Sequence, residues 1–274
     1  WLEVEMPDAV ARYGIPKGSI AVDGISLTMA TVSAARCRVQ IIPFTSARDR
    51  KHMLELRATA DAVMSGARTV DSNEVSLDPG GKKYRRLRLK HGLAEYNLRI
   101  IVTGSATIDP RARIFKAGRT VPGTPLPTTA RRGRRALPKS PIIILTTERA
   151  SKAKLKKLRA LADVVKICGK KEINFRAAFR WMLKKWRVKR LLCEGGGELH
   201  AALIRAGLVD ELHLTISPKI FGGLNTPTIA DGIGFASLAD AAQFKLKSFR
   251  RVDSELFAVF RIDRKLNRPS RLRA

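Results

Sequence analysis

The stretch Leu191 to Gly223, LLCEGGGELHAALIRAGLVDELHLTISPKIFGG, restricts the fold more than any other part of the chain. An apolar run, Leu191-Leu192-Cys193, ends at Glu194 and at once meets Gly195, Gly196 and Gly197. Apolar residues then recur at helical spacing from Glu198 to Arg205, and a second strand and a second glycine turn follow. A strand that ends in glycines and opens a helix presents backbone N–H groups and the positive end of a helix dipole, which suits a phosphate. A carboxylate at the strand end, here Glu194, would stand beside that anion site and could hold a ligand hydroxyl. The same glycines equally serve a tight turn and close packing. The motif by itself leaves both readings open.

The text upstream has the same rhythm. Arg99 to Val102 and Ile142 to Leu145 read as strands, and Ser151 caps a helix from Lys152 to Ala162. Asp163 to Cys168 reads as a strand, Asn174 caps a helix from Phe175 to Trp186, and Val188 to Cys193 is a strand again. Ala47 to Ala60 has helical spacing. Ala62-Val63-Met64 is a short buried strand ending at Ser65-Gly66, and Thr69-Val70 opens a helical turn. Short apolar strands alternating with amphipathic helices predict an α/β fold with a mostly parallel sheet flanked by helices. Two runs around Asp253-Ser254, Phe244 to Arg250 and Glu255 to Ile262, predict an antiparallel C-terminal hairpin at the edge of that sheet. The N-terminal part is different. Ser19 to Val22, a turn at Asp23-Gly24, Ile25 to Val32 and Cys37 to Ile42 form a short β segment. Gly118 to Pro141, rich in Pro, Thr and Arg, reads as a flexible insertion, and residues 265–274 as a basic tail.

Composition narrows the class. A hydrophobic share of 45% excludes a wholly disordered chain, and no apolar run reaches the ~20 residues of a membrane span. Cys37, Cys168 and Cys193 form no CxxC pair and sit in aliphatic runs. An odd count with no signal-peptide pattern points to buried free thiols in a reducing cytoplasm. The four histidines make no zinc pattern, so no metal is expected. The charge is unusual: 53 Lys and Arg against 24 acidic residues, a net of +29. Such a surface attracts polyanions without identifying one. Aromatic residues are little interleaved with the basic runs, so no base-stacking platform is indicated. A basic nucleic-acid-binding protein stands as the alternative reading.

Several motifs, taken together in order, carry a resemblance. They are Leu56-Arg57-Ala58 with Asp61-Ala62-Val63, Gly66-Ala67-Arg68-Thr69-Val70, the Glu194 glycine turn, Gly207 to Leu212, Pro218-Lys219 and Phe221-Gly222-Gly223. From about Thr45 to Ile262 the chain resembles the reductase domain of bacterial riboflavin biosynthesis, the 5-amino-6-(5-phosphoribosylamino)uracil reductases. The resemblance implies a dihydrofolate-reductase-like fold and hydride transfer from NADPH to C1′ of a phosphorylated ribosylaminopyrimidine. It implies a homodimer as well. It places the substrate on Arg57, Leu77 and Glu194. It places the cofactor on Thr69, Asn73, and Gly196, Gly197, Glu198, Leu199, His200, Ala201 and Ala202. Asn73 stands where the family usually has Asp. The arginine that usually follows the leucine has no counterpart in register, because Gly80 falls there, and Arg85 or Arg86 would replace it only after a loop shift.

The first 45 residues resemble something else. Lys17 to Thr28, KGSIAVDGISLT, and Ile42-Pro43-Phe44-Thr45 are similar to the second barrel of riboflavin synthase. That likeness implies lumazine contacts at Lys17, Ser26, Leu27, Thr28, Ile42, Pro43, Phe44 and Thr45, so a lumazine- or flavin-binding remnant is a further alternative. It predicts a boundary between residues 45 and 46. The reductase family's first strand, roughly SLDGK, has no counterpart ahead of the helix at Asp49 to Arg57. Impaired activity is therefore expected, with Cys37 to Ile42 able to fill the gap in the sheet sterically.

Overall fold

The computed structural model describes residues 2–5, 19–22, 25–33, 36–40, 47–72, 75–116, 140–218 and 228–263, with the backbone alone up to residue 47. Four strands open the chain: β1 (Leu2–Glu5), β2 (Ser19–Val22), β3 (Ile25–Ser33) and β4 (Arg36–Gln40). They pair antiparallel in the order β1-β4-β3-β2. The register runs from Ser19 opposite Thr28 to Val22 opposite Ile25, and Asp23 and Gly24, where the hairpin signal lies, are outside the described residues. The strand expected to fill a gap in the parallel sheet does not do so. β4 lies between β1 and β3, and both its edges are engaged there.

The parallel sheet follows. Its elements are α1 (Ala47–Arg57), β5 (Ala62–Gly66), α2 (Ala67–Ser72), α3 (Lys82–Lys90), β6 (Leu98–Val102), α4 (Arg113–Lys116), β7 (Ile142–Thr146), α5 (Lys152–Leu161), β8 (Val164–Ile167), α6 (Phe175–Trp186), β9 (Leu191–Cys193) and α7 (Gly197–Arg205). Five strands pair in the order β8-β7-β6-β5-β9, all parallel. Alternation along them builds two cores. Val63, Ile101, Ile142 and Ile144 face α2, α4 and α5. Ala62, Met64, Ile100, Ile143 and Leu145 face α6 and α7. Trp181 and Trp186 of α6 pack against this second core, as their spacing suggests. Ser151 and Asn174 cap α5 and α6 through their side chains, accepting from the N–H groups of Lys154 and Ala177.

Differences from the sequence reading have local causes. β9 begins at Leu191 and not at Val188, because Asp61 Oδ2 accepts the N–H groups of Lys189 and Arg190, each at 2.8 Å. The C-terminal hairpin, β11 (Phe244–Val252) and β12 (Glu255–Ile262), is present, but it is not an edge of the parallel sheet. It pairs with β10 (Glu211–Ile216) in a separate three-stranded sheet of order β10-β12-β11. Pro141 and Ser140, read as the end of the insertion, are held at the start of β7 instead. The N–H of Arg99 bonds the Pro141 carbonyl, and the Arg99 guanidinium bonds that of Ser140. The rest of that insertion and the basic tail lie outside the described residues.

By compactness the chain divides into two units. One comprises Trp1–Arg50, His213–Thr228 and Leu246–Phe260; the other comprises Lys51–Leu212, Ile229–Lys245 and Arg261–Ala274. No helix among the described residues is long and apolar enough to cross a membrane.

Candidate active site

Strand order alone points to the site. From β5 the chain runs outward through β6, β7 and β8, then crosses back to lay β9 on the other side of β5. The helix after β5 lies on one face of the sheet and the helix after β9 on the other. In open α/β sheets, ligands bind beyond the carboxyl ends of the strands where the order reverses in this way. Both α2 and α7 open at that point, and each therefore directs its N-terminal N–H groups and dipole toward it.

The glycine turn is bonded to the end of β5. Glu194 N–H donates to the Met64 carbonyl at 2.9 Å and Gly66 N–H to the Gly195 carbonyl at 2.8 Å. The buried Ser65 hydroxyl donates to the same Gly195 oxygen at 3.2 Å. Gly195 has φ +135°, a backbone conformation that favours glycine. A Cβ at Gly196 would stand 2.8 Å from Thr69 Oγ1, so a side chain there collides with the first turn of α2. Gly196 caps α7, and a glycine brings no side-chain acceptor to the first turn of that helix. These features fit the diphosphate of a dinucleotide. Thr69 thus lies against Gly195 and Gly196, at the start of the helix that carries residues 197 to 202. Within them, Leu199 faces the second core and Ala201 is buried, while His200 Nδ1 lies 3.0 Å from the Ile229 carbonyl.

Arg57 and Glu194 also come together, and they bond each other. Arg57 Nε and Nη2 donate to the two carboxylate oxygens of Glu194, both at 2.6 Å, and the pair is nearly buried. Arg57 Nη1 donates to the Asp78 carbonyl at 2.6 Å. One guanidinium thus joins the end of β9 to the loop that carries Leu77. Leu77 sits at φ +53° with its side chain fully buried, and Asn97 Nδ2 holds its carbonyl at 2.9 Å. Burial pushes the Asp78 carboxyl up. Hydrogen bonds from Ser76 and the Gly80 N–H, with the charges of Arg57 and Arg99, outweigh it and hold the group below its ordinary value. Burial pushes the Cys193 thiol up to about 12; a hydrogen bond from Gly195 opposes this and the Glu194 charge adds to it.

Sequence reasoning missed three residues. Arg88 of α3 is 1% exposed and donates to the carbonyls of Arg57, Ala60 and Ala94 at 2.6–2.9 Å, so a cation closes the C-terminus of α1. Arg68 of α2 pairs with Glu198 of α7 across the two helix starts. The hydrogen bond and charge of Glu198, aided by Asp231, raise its pKa. Asp78 is the third. Only the run of basic residues hinted at Arg88, and nothing in the pattern marked it as the buried one. Arg85 cannot serve as the absent arginine without giving up its bonds to Tyr96 and Glu95. Asn73, Lys17, Ile42, Pro43, Phe44 and Thr45 lie outside the described residues, while Ser26, Leu27 and Thr28 lie on β3, where the backbone alone is described.

The chain is 26% identical over 86% of its length to 90% of the 2,5-diamino-6-ribosylamino-4(3H)-pyrimidinone 5′-phosphate reductase of Aquifex aeolicus. It is 25% identical over 78% of its length to 85% of the reductase of the same name from Methanothermobacter thermautotrophicus. Among solved structures, a pyrimidine reductase-like protein from Corynebacterium diphtheriae superposes with a TM-score of 0.61 at 20% identity, over 81% of this chain and 84% of that one. The fold is accordingly the dihydrofolate-reductase-like α/β fold, its parallel sheet and antiparallel three-stranded sheet together. The RibD C-terminal domain model matches residues 12–258, beginning well before residue 45, and no comparison bears out the synthase-like fragment. With nine-tenths of its length inside that match, the chain belongs to the RibD C-terminal domain family.

Proposed function

We propose that the chain reduces the ribosyl group of a phosphoribosylaminopyrimidine, 5-amino-6-(5-phosphoribosylamino)uracil or its pyrimidinone counterpart, in riboflavin biosynthesis, with NADPH as reductant. The observation that carries this reading is the junction of two parts at one strand end. A glycine turn fit for a dinucleotide diphosphate lies next to a carboxylate, Glu194, that a buried arginine holds in one orientation.

The nicotinamide, when bound, supplies a hydride to C1′; with one proton taken up, this leaves an open ribitylamino chain. The protein's own residues bind and orient. Arg57 occupies one lone pair on each Glu194 oxygen, and the outward lone pairs remain for the hydroxyls of the ribosyl group. Leu77, its side chain buried in the core, would meet the substrate through its backbone alone, and the N–H groups at the start of α7, with Thr69 beside them, would hold the diphosphate. Asn73 would contact the cofactor through its amide. Arg68, beside both helix starts, would reach the additional phosphate that separates NADPH from NADH by giving up its pair with Glu198. The family's Asp-Gly-Lys strand has no counterpart among the described strands, so turnover is expected to suffer more than cofactor affinity.

The chain is also expected to form a homodimer in the cytoplasm. Exposed apolar side chains on the three-stranded sheet, Ile216, Leu246, Phe249 and Leu256, support an interface there. Light scattering should give about twice the 30.3 kDa chain mass.

The experiment is a fluorescence titration with NADPH, followed by its oxidation in the presence of the pyrimidine substrate. Micromolar affinity and substrate-dependent oxidation are expected. A protein that binds no NADPH defeats the reading.

A further inference from the structure

The cation that the reductase reading gives to the extra phosphate of NADPH is bonded to a carboxylate of the same chain. Arg68 Nη2 pairs with Glu198 Oε2, the second residue of α2 with the second residue of α7. The pair spans the glycine turn, since Thr69, next to Arg68, lies against Gly195 and Gly196. A further segment packs on Glu198. A Cβ at Gly232 would stand 3.9 Å from Glu198 Cγ, and the Ile229 carbonyl lies 3.0 Å from His200 Nδ1, two residues along α7. That segment also brings the charge of Asp231 to bear on Arg68. One guanidinium therefore faces two carboxylates, and the three groups together are net negative. Both members of the pair are largely exposed, Arg68 at 79% and Glu198 at 61%, so the bond is weak and exchangeable.

We propose that Glu198 is an internal competitor for the extra phosphate of NADPH: it holds Arg68 until the cofactor displaces it, weakens NADPH binding, and hastens release of the oxidised cofactor by retaking Arg68. With NADPH as the reductant, on which this inference rests, two anions contend for one guanidinium. A phosphomonoester carries about 1.5–2 negative charges near pH 7 and displaces a single carboxylate. Each binding event nevertheless breaks the Arg68–Glu198 bond. It also leaves Glu198 beside the phosphates without its counter-ion. NADH has a neutral hydroxyl in place of that phosphate. A hydroxyl does not draw Arg68 from a carboxylate, so Glu198 stays neutralised and NADH binding is little affected. A built-in repulsive element tunes affinity as much as an attractive contact does. Its use lies in turnover, because product release limits many enzymes and a carboxylate waiting beside the site shortens that step.

The test is a double-mutant cycle on the full chain: wild type, Glu198→Gln, Arg68→Gln and the double variant, each titrated by fluorescence with NADPH and with NADH in about 0.1 M NaCl. Glu198→Gln is expected to lower the Kd for NADPH about threefold to fivefold, the range of an exposed ion pair, and the Kd for NADH less than about twofold. In the Arg68→Gln background the same change is expected to alter the NADPH Kd less than about 1.5-fold, because nothing is left to compete for. Stopped-flow displacement should show NADP⁺ leaving Glu198→Gln about threefold more slowly than wild type. Both side chains are exposed, so all variants are expected to fold, with melting temperatures near that of wild type. A gain of equal size without Arg68 would make Glu198 a general repulsive charge and overturns the proposal. So does an equal gain for NADH, or an unchanged NADPH affinity or release rate in Glu198→Gln. A wild type that binds no NADPH defeats the reductase reading and this proposal with it; a wild type that binds NADPH while the variants show none of these differences defeats this proposal alone.

Discussion

At the scale of single residues, the Arg57–Glu194 pair is the most consequential feature. Two charges withdrawn from water are tolerable only while each satisfies the other. Arg57→Met leaves a carboxylate buried without its partner and should cost about 3–5 kcal/mol. A fall in the urea midpoint at an unchanged m-value measures it. Gly196→Ala should lower both melting temperature and NADPH affinity, because the new methyl meets Thr69 Oγ1. Adding Thr69→Ala removes the obstacle, so the double variant should regain melting temperature relative to Gly196→Ala alone. Asp78 gives a pH test. Its folded-state pKa is depressed, so its contribution to stability is present above the ordinary carboxylate value and is lost as pH falls through the depressed one. Asp78→Asn should therefore flatten the acid limb of the stability curve below about pH 4 and lower stability at pH 7. At pH 8, Cys193 is thiolate in only about one molecule in 10,000, so iodoacetamide should leave it unlabelled in the folded chain.

At the scale of elements, the helices with apolar periodicity and side-chain caps could be read closely from the chain. α6 runs from Phe175 to Trp186 as its spacing and Asn174 predict. α3 could not be read in this way. KKYRRLRLK has little apolar repeat, and its buried position is Arg88, a residue that patterning assigns to water. Long basic side chains favour helix by propensity, but only the carbonyls at the end of α1 explain which of them turns inward. Arg88→Lys supplies fewer donors in a fixed geometry and leaves at least one of those carbonyls unsatisfied. It should cost about 1–3 kcal/mol, read by thermal melting, with a parallel weakening of substrate affinity through Arg57. The site was legible in the same uneven manner. The glycine turn, Arg57 and Glu194 have sequence marks, whereas the bond between the last two depends on which strand lies beside β5. No local pattern reports that order. The place of the C-terminal hairpin escaped for the same reason, since pairing partners are set by the whole sheet.

At the scale of the whole molecule, +29 acts on every charged group together. Self-repulsion of this size opposes the compact state, and salt screens it over about 10 Å at 0.1 M. Raising NaCl from 20 to 500 mM should raise the melting temperature by roughly 3–8 °C, against the small loss expected from weakened surface ion pairs. Differential scanning fluorimetry in a single buffer checks this. A melting temperature that falls with salt would mean that surface pairing outweighs repulsion.

The strand order has a consequence in time. Arg57 and Glu194 are 137 residues apart in sequence, and β5 receives β9 only after β6, β7 and β8 have been made. A contact of such long range is slow to close and forms late. During synthesis the chain completes most of its parallel ladder while one edge of β5 waits open, with the apolar Ala62, Val63 and Met64 in it. The binding cleft is thus among the last parts of the molecule to exist. A ribosome that stalls before residue 191 holds a sheet with an unsatisfied edge and no means of gripping a nucleotide, so added cofactor can rescue the finished chain but not the nascent one.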